Sequence, residues 1–109
     1  EIYRGCFAIA KCPSEGLESP TVVGAQAANE LLNIIGIKAS FVLTEYNDKI
    51  YISSRSIDEI NVQIIMEKLG GGGHLNVAGA QLEGVTIVQA KRMIQDTLDE
   101  MLKEGDIEE

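Results

Sequence analysis

The sequence predicts an α/β fold in which a mixed β-sheet is flanked by helices, in the order β-α-β-β-α-β-α. Apolar residues recur at helical spacing in three segments, and the segments between them alternate or are apolar on both faces, as strands are. A helical connection allows neighbouring strands to be parallel, whereas a hairpin makes them antiparallel, so this order implies a sheet of both kinds.

The first strand is expected over Tyr3 to Cys12, because apolar residues occupy both of its faces, as in a central strand that is covered on both sides. Ser19 and Pro20 follow as a helix cap and a favoured first-turn proline. The apolar positions after them recur at helical spacing up to Gly36, which predicts the first helix.

Two alternating runs come next, Ala39 to Tyr46 and Lys49 to Ser54, and the Asn47-Asp48 pair between them is typical of a hairpin turn. The first of these runs is a candidate for an edge of the sheet. Because an exposed edge can pair with a second chain, we expect a monomer or a weak dimer.

Later elements are predicted from their capping residues. Asn61 can cap a second helix whose apolar stripe runs to Leu69, and a strand is expected near Gly79 to Leu82. Thr86, with Gln89 three residues later, forms a capping box at the start of a terminal helix.

Length and charge indicate one domain over residues 1–109, with residues 104–109 expected to be a frayed acidic tail. The net charge is −8, and residues 99–109 hold six acids against Lys103. This balance disfavours the binding of long nucleic acid, which needs a sizeable positive field, but it allows a short anionic ligand held by a few donors.

Cysteine spacing and hydropathy indicate the cellular environment in which the protein is expected. Cys6 and Cys12 would lie about 20 Å apart along an extended segment, too far for a disulfide, which favours a reducing, cytoplasmic location. With a single histidine they fall short of a metal cluster. No apolar run is long enough for a membrane span, and the first residues lack a signal peptide, so the chain is expected to be cut from a longer protein.

The most informative motif is the run Gly70 to Gly73, which is followed by His74, the only histidine. A helix needs at most one glycine to stop, so capping explains Gly70 alone. The other glycines let backbone N–H groups approach a ligand, and the histidine adds a donor, so the motif predicts a phosphate or nucleotide cradle. A flexible loop with a solvated histidine is the alternative.

A second motif, Ser54-Arg55-Ser56, ends the second hairpin strand just before the helix that leads to the glycines. An arginine among hydroxyls offers a donor fork for a phosphate or a purine edge, although an ordinary surface arginine is the alternative. Because the two motifs bracket one helix, we expect them to converge. No nucleophile or base stands beside His74 in a known pattern, so we assign no catalytic residue and no metal ligand.

The segment Asn61 to Asn76, preceded by Ser53 to Ser56 and followed by Ala78 to Leu82, resembles the DHHA1 domain, the C-terminal substrate-binding half of DHH-family phosphoesterases. Within that group the chain looks most like the membrane-anchored bacterial cyclic-di-AMP phosphodiesterases. The resemblance assigns substrate binding to the residues of both motifs, namely Ser54, Arg55, Ser56, Gly70, Gly71, Gly72, Gly73 and His74.

In such enzymes a separate DHH domain holds two metal ions, usually manganese, and the DHHA1 half closes over the nucleotide. The resemblance therefore implies a cyclic dinucleotide or short oligonucleotide as ligand and the DHH domain of the same parent chain as partner. It implies manganese in that domain and no cofactor in these residues. We expect the fragment alone to be inactive, and to be a cytoplasmic part, without direct membrane contact, of a phosphodiesterase anchored in the bacterial cell membrane.

Two other functions stay open. One is a nonenzymatic RNA-contact or oligomerisation module similar to the C-terminal domain of alanyl-tRNA synthetases, and the other is the same domain of an oligoribonuclease. The acidic composition and the histidine after the glycines favour the phosphodiesterase, whereas a basic face would favour the RNA module.

Overall fold

A computed structural model describes residues 1–12, 20–57 and 60–108, which form a six-stranded sheet and three helices. The strands are β1 (Ile2–Tyr3), β2 (Phe7–Cys12), β3 (Ala39–Tyr46), β4 (Lys49–Ser56), β5 (Gly72–His74) and β6 (Val77–Glu83). The helices are α1 (Pro20–Leu31), α2 (Val62–Lys68) and α3 (Ile87–Glu104). The predicted α/β class is confirmed, and the short strands β1 and β5 are additions to the predicted order.

The strand order across the sheet is β1-β2-β3-β4-β6-β5. Only β2 and β3 pair in parallel, and the other neighbours are antiparallel. The expectation that β3 lies at an edge is wrong, because α1 returns the chain to the side of β2 and the following hairpin adds β4 on the other side of β3. The edge strands of the described sheet are β1 and β5.

A turn interrupts the strand that was expected over Tyr3 to Cys12. Arg4 and Gly5 have φ angles of 52° and 76°, in the left-handed region, and they reverse the chain. As a result β1 folds back on β2, with Ile2 opposite Ala8. Apolar composition alone could not reveal this turn, because the residues on both sides of it are strand formers.

The first helix is shorter than its apolar pattern predicts. It ends at Leu31 rather than near Gly36, and the chain continues through turns in which Ile35 is fully exposed. An isoleucine in solvent continues the helical spacing without belonging to the core, so the pattern runs past the true end. The proposed cap Ser19 lies outside the described residues.

The other local signals are confirmed. Asn61 caps α2 and its side chain accepts a hydrogen bond from the Ile64 N–H at 3.3 Å. Thr86 and Gln89 form the capping box of α3. The Asn47-Asp48 turn has φ angles of 53° and 61°, as a two-residue hairpin turn requires.

The two faces of the sheet are covered unequally. On one face α2 and α3 bury the larger core, whose largest members include Phe7, Phe41, Leu43, Ile65, Met66 and Leu98. On the other face α1 packs on β2, β3 and β4 around a smaller cluster that contains Ala28 and Val42. Cys12 belongs to this smaller cluster and Cys6 to the larger one, and no disulfide joins them.

The residues that follow α3, from Gly105 to Ile107, fold back onto the core. Gly105, with a φ of 81°, closes α3, and the Asp106 N–H donates to the Met101 carbonyl at 2.9 Å. Ile107 is then only 5% exposed within the larger core. No helix in the described ranges is both long and apolar enough to cross a membrane.

Candidate functional site

Part of the sheet stays open on the face that α1 covers elsewhere. Ser53 and Arg55 point to this face, since the Arg55 Nε–H donates to Asn29 Oδ1 on α1 at 2.9 Å and the two residues alternate with buried ones. Their register partners on β6 are Gly79 and Val77. Directly opposed residues share a face, so this face continues from β4 over β6 to the edge strand β5.

Arg55, Val77 and His74 form one row across β4, β6 and β5, which we call the cationic row. Val77 is opposite Arg55 on one side and opposite His74 on the other. Strands lie about 4.8 Å apart, so the Cα atoms of Arg55 and His74 are about 10 Å apart. Val77 is 48% exposed and His74 is exposed, so the row is open to solvent. The expected convergence of the two motifs therefore occurs for Arg55 and His74.

The Arg55 guanidinium is positioned by two contacts. Its Nε–H binds Asn29, and one Nη1–H donates to the Ser54 carbonyl at 2.8 Å. Partial burial lowers the pKa of Arg55, but a guanidinium remains charged at neutral pH. A guanidinium carries five N–H donors, and the other three have no acceptor among the described residues.

Helix capping explains the first glycine of the run, as expected. Gly70 has a φ of 88° and its N–H donates to the Glu67 carbonyl at 3.1 Å, while the Gly71 N–H donates to the Met66 carbonyl at 2.8 Å. These two bonds make a Schellman motif at the end of α2.

Two further glycines are required by close packing against β6. A Cβ on Gly71 would lie 2.1 Å from the Gly79 carbonyl oxygen, and a Cβ on Gly73 would lie 2.5 Å from the Val77 carbonyl oxygen. Gly72 is different, because a Cβ there would meet nothing within 4 Å and its φ lies outside the left-handed region. The fold therefore has no need of a glycine at position 72, which leaves room there for a ligand.

A second row, Ser53–Gly79–Gly72, lies beside the cationic row on the same face. We call it the smooth row, since two of its three members lack a side chain. A groove of about 550 Å³, within the range of small-molecule sites, opens over Ser53 and Gly79 of this row. The groove is lined by Tyr51, Ile52, Ser53, Gly70, Gly71, Gly79, Ala80 and Gln81.

Only Gly70 and Gly71 of these lining residues were among the predicted site residues, and the other six, which include Tyr51, Ser53, Gly79 and Gln81, were not. The strand period of two carries part of the signal, because it puts Ser53 and Tyr51 on the face of Arg55. The positions of Gly79 and Gln81 depend on the pairing of β4 with β6, which no local pattern reveals.

Ser54 and Ser56 lie on the opposite face of the sheet, so they do not join Arg55 on the open face. The Ser56 hydroxyl is buried, donates to the Ile60 carbonyl at 2.6 Å and accepts from Asn76 Nδ2 at 2.9 Å. Ser54 is fully buried, and its hydroxyl has no hydrogen-bond partner in the described structure. Strand alternation is the reason, because neighbours of an outward arginine must point inward.

Metal ligands are not grouped in this part of the molecule. Within residues 1–12, 20–57 and 60–108, no cluster of three or more His, Cys, Asp or Glu side chains could hold a metal ion. The donors of the site described here, a guanidinium and an imidazole, suit an anion.

Comparison with known proteins identifies the family. A DHHA1 domain model matches residues 6–104. The chain is 50% identical over 100 residues to the cyclic-di-AMP phosphodiesterase PdeA of Listeria monocytogenes, covering 91% of this chain and 15% of that protein. It is 40% identical over 106 residues to the cyclic-di-AMP phosphodiesterase GdpP of Bacillus subtilis, covering 95% of this chain and 16% of that protein. The chain thus spans about a sixth of the length of these relatives.

More distant similarities agree in fold. An exopolyphosphatase-related protein from Bacteroides fragilis superposes with a TM-score of 0.76 at 22% identity, over 87% of this chain and 29% of that one. The C-Ala domain of Aquifex aeolicus alanyl-tRNA synthetase superposes with a TM-score of 0.63 at 16% identity, over 84% and 89% of the two chains. From the family match and the sequence identity together, the chain belongs to the DHHA1 domain family and is homologous to the C-terminal region of cyclic-di-AMP phosphodiesterases.

Proposed function

We propose that this domain binds the phosphate of a short nucleotide phosphodiester and is the substrate-binding part of a DHH-type phosphodiesterase that acts on cyclic-di-AMP. The observation that carries the proposal is the cationic row, in which Arg55 and His74 flank Val77 on one open face. Two relatives at 50% and 40% identity are cyclic-di-AMP phosphodiesterases, which supports the choice of cyclic-di-AMP.

The row suits one phosphodiester group. Arg55 offers a planar set of N–H donors and a permanent charge, and His74 adds a donor on the other side of Val77. The open space at Gly72 lets a phosphate oxygen or a ribose approach the backbone without a steric clash. These groups would hold and orient the substrate while leaving the bond to be cleaved accessible from outside the domain.

The catalytic metals would be held outside this domain. We propose that manganese is held by a DHH domain of the same parent protein, which faces this domain across the substrate. The metals would supply the activated water, and this domain would supply binding and charge stabilisation. The same proposal puts the domain in the cytoplasm, on a parent protein anchored in the bacterial cell membrane.

A module for RNA contact is less well supported by the surface. Such a module needs several basic side chains spread along one face. On the open face here, Lys49 is paired with Glu83 at 3.4 Å, and the whole chain carries a net charge of −8. An oligoribonuclease would use the same row for a longer linear substrate, so the choice of nucleotide tests that alternative directly.

Titration of the ¹⁵N-labelled 109-residue chain tests the proposal. Cyclic-di-AMP and the linear dinucleotide pApA should shift the backbone signals of Gly72, His74 and Val77 and the Arg55 Nε–H signal. The variant Arg55→Ala should weaken binding about tenfold or more, since a charge-assisted hydrogen bond contributes roughly 1.5 to 3 kcal/mol. Arg92→Ala, which removes an exposed arginine on α3, is the matched control.

Two results would contradict the proposal. One is saturable binding whose signal changes map away from the cationic row. The other is equal affinity of the wild type, Arg55→Ala and Arg92→Ala. Tighter binding of longer linear RNA than of either dinucleotide would favour the oligoribonuclease alternative.

A further inference from the structure

We infer that Tyr51 and Gln81 form a base-recognition site that selects adenine. The inference rests on the proposed function in one respect, which is that the phosphate of the same ligand lies at the cationic row. Neither residue belongs to the two motifs that the sequence singles out, and both line the groove.

The two residues form a third row on the open face, parallel to the other two. Tyr51 on β4 is the register partner of Gln81 on β6. Tyr51 and Arg55 are four positions apart on β4, and a strand rises about 3.4 Å per residue, so the third row is about 14 Å from the cationic row. The smooth row Ser53–Gly79–Gly72 lies between them without a large side chain. A ligand can therefore lie flat on the open face, with a planar end in the groove at Tyr51 and an anionic end beyond the groove at Arg55.

Tyr51 is suited to stack against a base. Its other register partner is Thr44, which is buried beneath α1, where a Cβ on Gly24 would lie 2.7 Å from the Thr44 hydroxyl oxygen. The tyrosine itself is half-buried and lines the groove. Stacking of a base on an aromatic ring is a common and strong contact in nucleotide binding.

Gln81 supplies the discrimination. Its side chain is exposed, and no hydrogen bond to its amide occurs among the described residues. A primary amide carries a donor and an acceptor side by side, which matches the N7 acceptor and N6 amino donor of adenine. Guanine presents two acceptors, N7 and O6, at the same edge, so a glutamine satisfies only one of them.

The ion pair beyond Tyr51 and Gln81 also favours a neutral base at these two residues. The next pair along these strands is Lys49 and Glu83, whose side chains form an ion pair at 3.4 Å. The two charges neutralise each other beyond Tyr51 and Gln81. The open face therefore runs from a cationic row at Arg55 to an uncharged pair at Tyr51 and Gln81, which is the polarity of a nucleotide.

Three probes separate the base site from the phosphate site: adenosine 5′-monophosphate, guanosine 5′-monophosphate and ribose 5-phosphate. We expect the wild-type chain to bind the adenine nucleotide most tightly in NMR titrations. The side-chain NH₂ signals of Gln81 should shift with the adenine nucleotide and stay unchanged with ribose 5-phosphate. Gln81→Ala should reduce the preference for adenine over guanine by about tenfold, the size of one bidentate base contact.

Tyr51→Ala should lower the affinity for both nucleotides by about tenfold, because an aromatic ring stacks on any base. It should leave the affinity for ribose 5-phosphate unchanged. Tyr46→Ala is the matched control, since Tyr46 is 39% exposed on β3 and does not line the groove. Thermal melts of each variant show whether the fold is retained. The conservative variant Tyr51→Phe keeps the ring and should bind as the wild type does.

The outcomes distinguish this inference from the proposed function. Equal affinity of the wild type for all three probes, an adenine preference that survives in Gln81→Ala, or nucleotide affinity that is unchanged in Tyr51→Ala overturns the base site and leaves the cationic row in place. Affinity for ribose 5-phosphate that is unaffected by Arg55→Ala, or no binding of any probe to the wild type, overturns the proposed function and the base site with it.

Discussion

Arg55 and His74 are both register partners of the same residue, Val77, and so lie in one row on the open face of the sheet. The relationship depends on β5, a three-residue edge strand that follows the glycine cap of α2. A turn at Leu75 and Asn76 connects β5 to the antiparallel strand β6. This pairing sets His74 opposite Val77, the residue that Arg55 faces from β4. The Arg55 guanidinium and the His74 imidazole can then contact one anion.

The first prediction concerns this pair in a full-length phosphodiesterase that contains the domain. Arg55→Ala and His74→Ala should each lower kcat/KM for cyclic-di-AMP by about 10- to 100-fold, because each loses a hydrogen bond to a charged group. Metal content should be unchanged. If both residues contact one phosphate, the double mutant should lose less than the product of the two single effects.

The control for these kinetics is Arg92→Ala, an exposed arginine remote from the groove. Thermal melts should show that all variants are folded. Values of kcat/KM near that of the wild type in both single mutants would contradict a shared phosphate site.

A second prediction separates the glycines of the run. Gly72→Ala should change the melting temperature little, since its Cβ would enter open space, but it should weaken binding of cyclic-di-AMP at the cationic row. Gly71→Ala should destabilise the chain by about 1 to 3 kcal/mol, because its Cβ would overlap the backbone of β6. Urea denaturation and a binding titration measure the two effects. Equal loss of stability in both variants would show that Gly72 serves the fold.

The third prediction concerns the two serines that flank Arg55. Ser56→Ala should lower the free energy of unfolding by about 1 to 3 kcal/mol, because Asn76 would lose its buried acceptor. Ser54→Ala should be neutral or slightly stabilising, since it removes a buried hydroxyl that has no partner among the described residues. Denaturant unfolding of both variants provides the comparison. Weaker ligand binding in Ser54→Ala, at unchanged stability, would restore Ser54 as a contact residue.

A fourth prediction follows from the hydrogen bonds between β1 and α3. The Tyr3 hydroxyl donates to Asp99 Oδ1 at 2.8 Å, and the Arg4 Nε–H donates to the same oxygen at 2.7 Å. Burial raises the pKa of the Asp99 carboxyl, but the bonds from Arg4 and Tyr3 outweigh it and hold the pKa below the usual value. A depressed pKa adds stability above the unfolded value of about 3.9, and this stability is lost as the pH falls through the folded value.

Asp99→Asn should therefore lower the melting temperature by about 1 to 4 °C at neutral pH, the range for an exposed ion pair in a domain of this size. The difference from the wild type should shrink as the pH falls from the unfolded pKa of about 3.9 through the lower folded pKa of Asp99. Asp96→Asn, an exposed aspartate on the same helix, is the control. A difference that stays constant from pH 7 to pH 2 would show that charge is not involved.

The fifth prediction is that the 109-residue chain does not hydrolyse cyclic-di-AMP in the presence of Mn²⁺. Two-metal chemistry needs several carboxylate and imidazole ligands close together, and the described residues bring no such group together. Chromatography of the nucleotide after incubation provides the test. Formation of linear product above a metal-only control, lost on mutation of a residue of this chain, would contradict it.

Local signals predicted much of the fold. The caps Asn61 and Thr86, the Asn47-Asp48 turn and the Gly70 helix stop are all present, because each depends on hydrogen bonds or φ angles within a few residues. The same kind of reasoning predicted too late an end for α1, because the exposed Ile35 continues the apolar pattern beyond the last helical residue.

The amino-acid sequence by itself therefore determined the α/β class, the caps of α2 and α3, the hairpin turn and the two motifs that contain Arg55 and His74. Only the tertiary structure decided which of their residues meet. Strand register set Arg55, Val77 and His74 in one row, brought Tyr51 opposite Gln81, and turned Ser54 and Ser56 into the core. The physical reason is that register arises from pairing between segments far apart in the chain, and a shift of one residue would reverse every side chain.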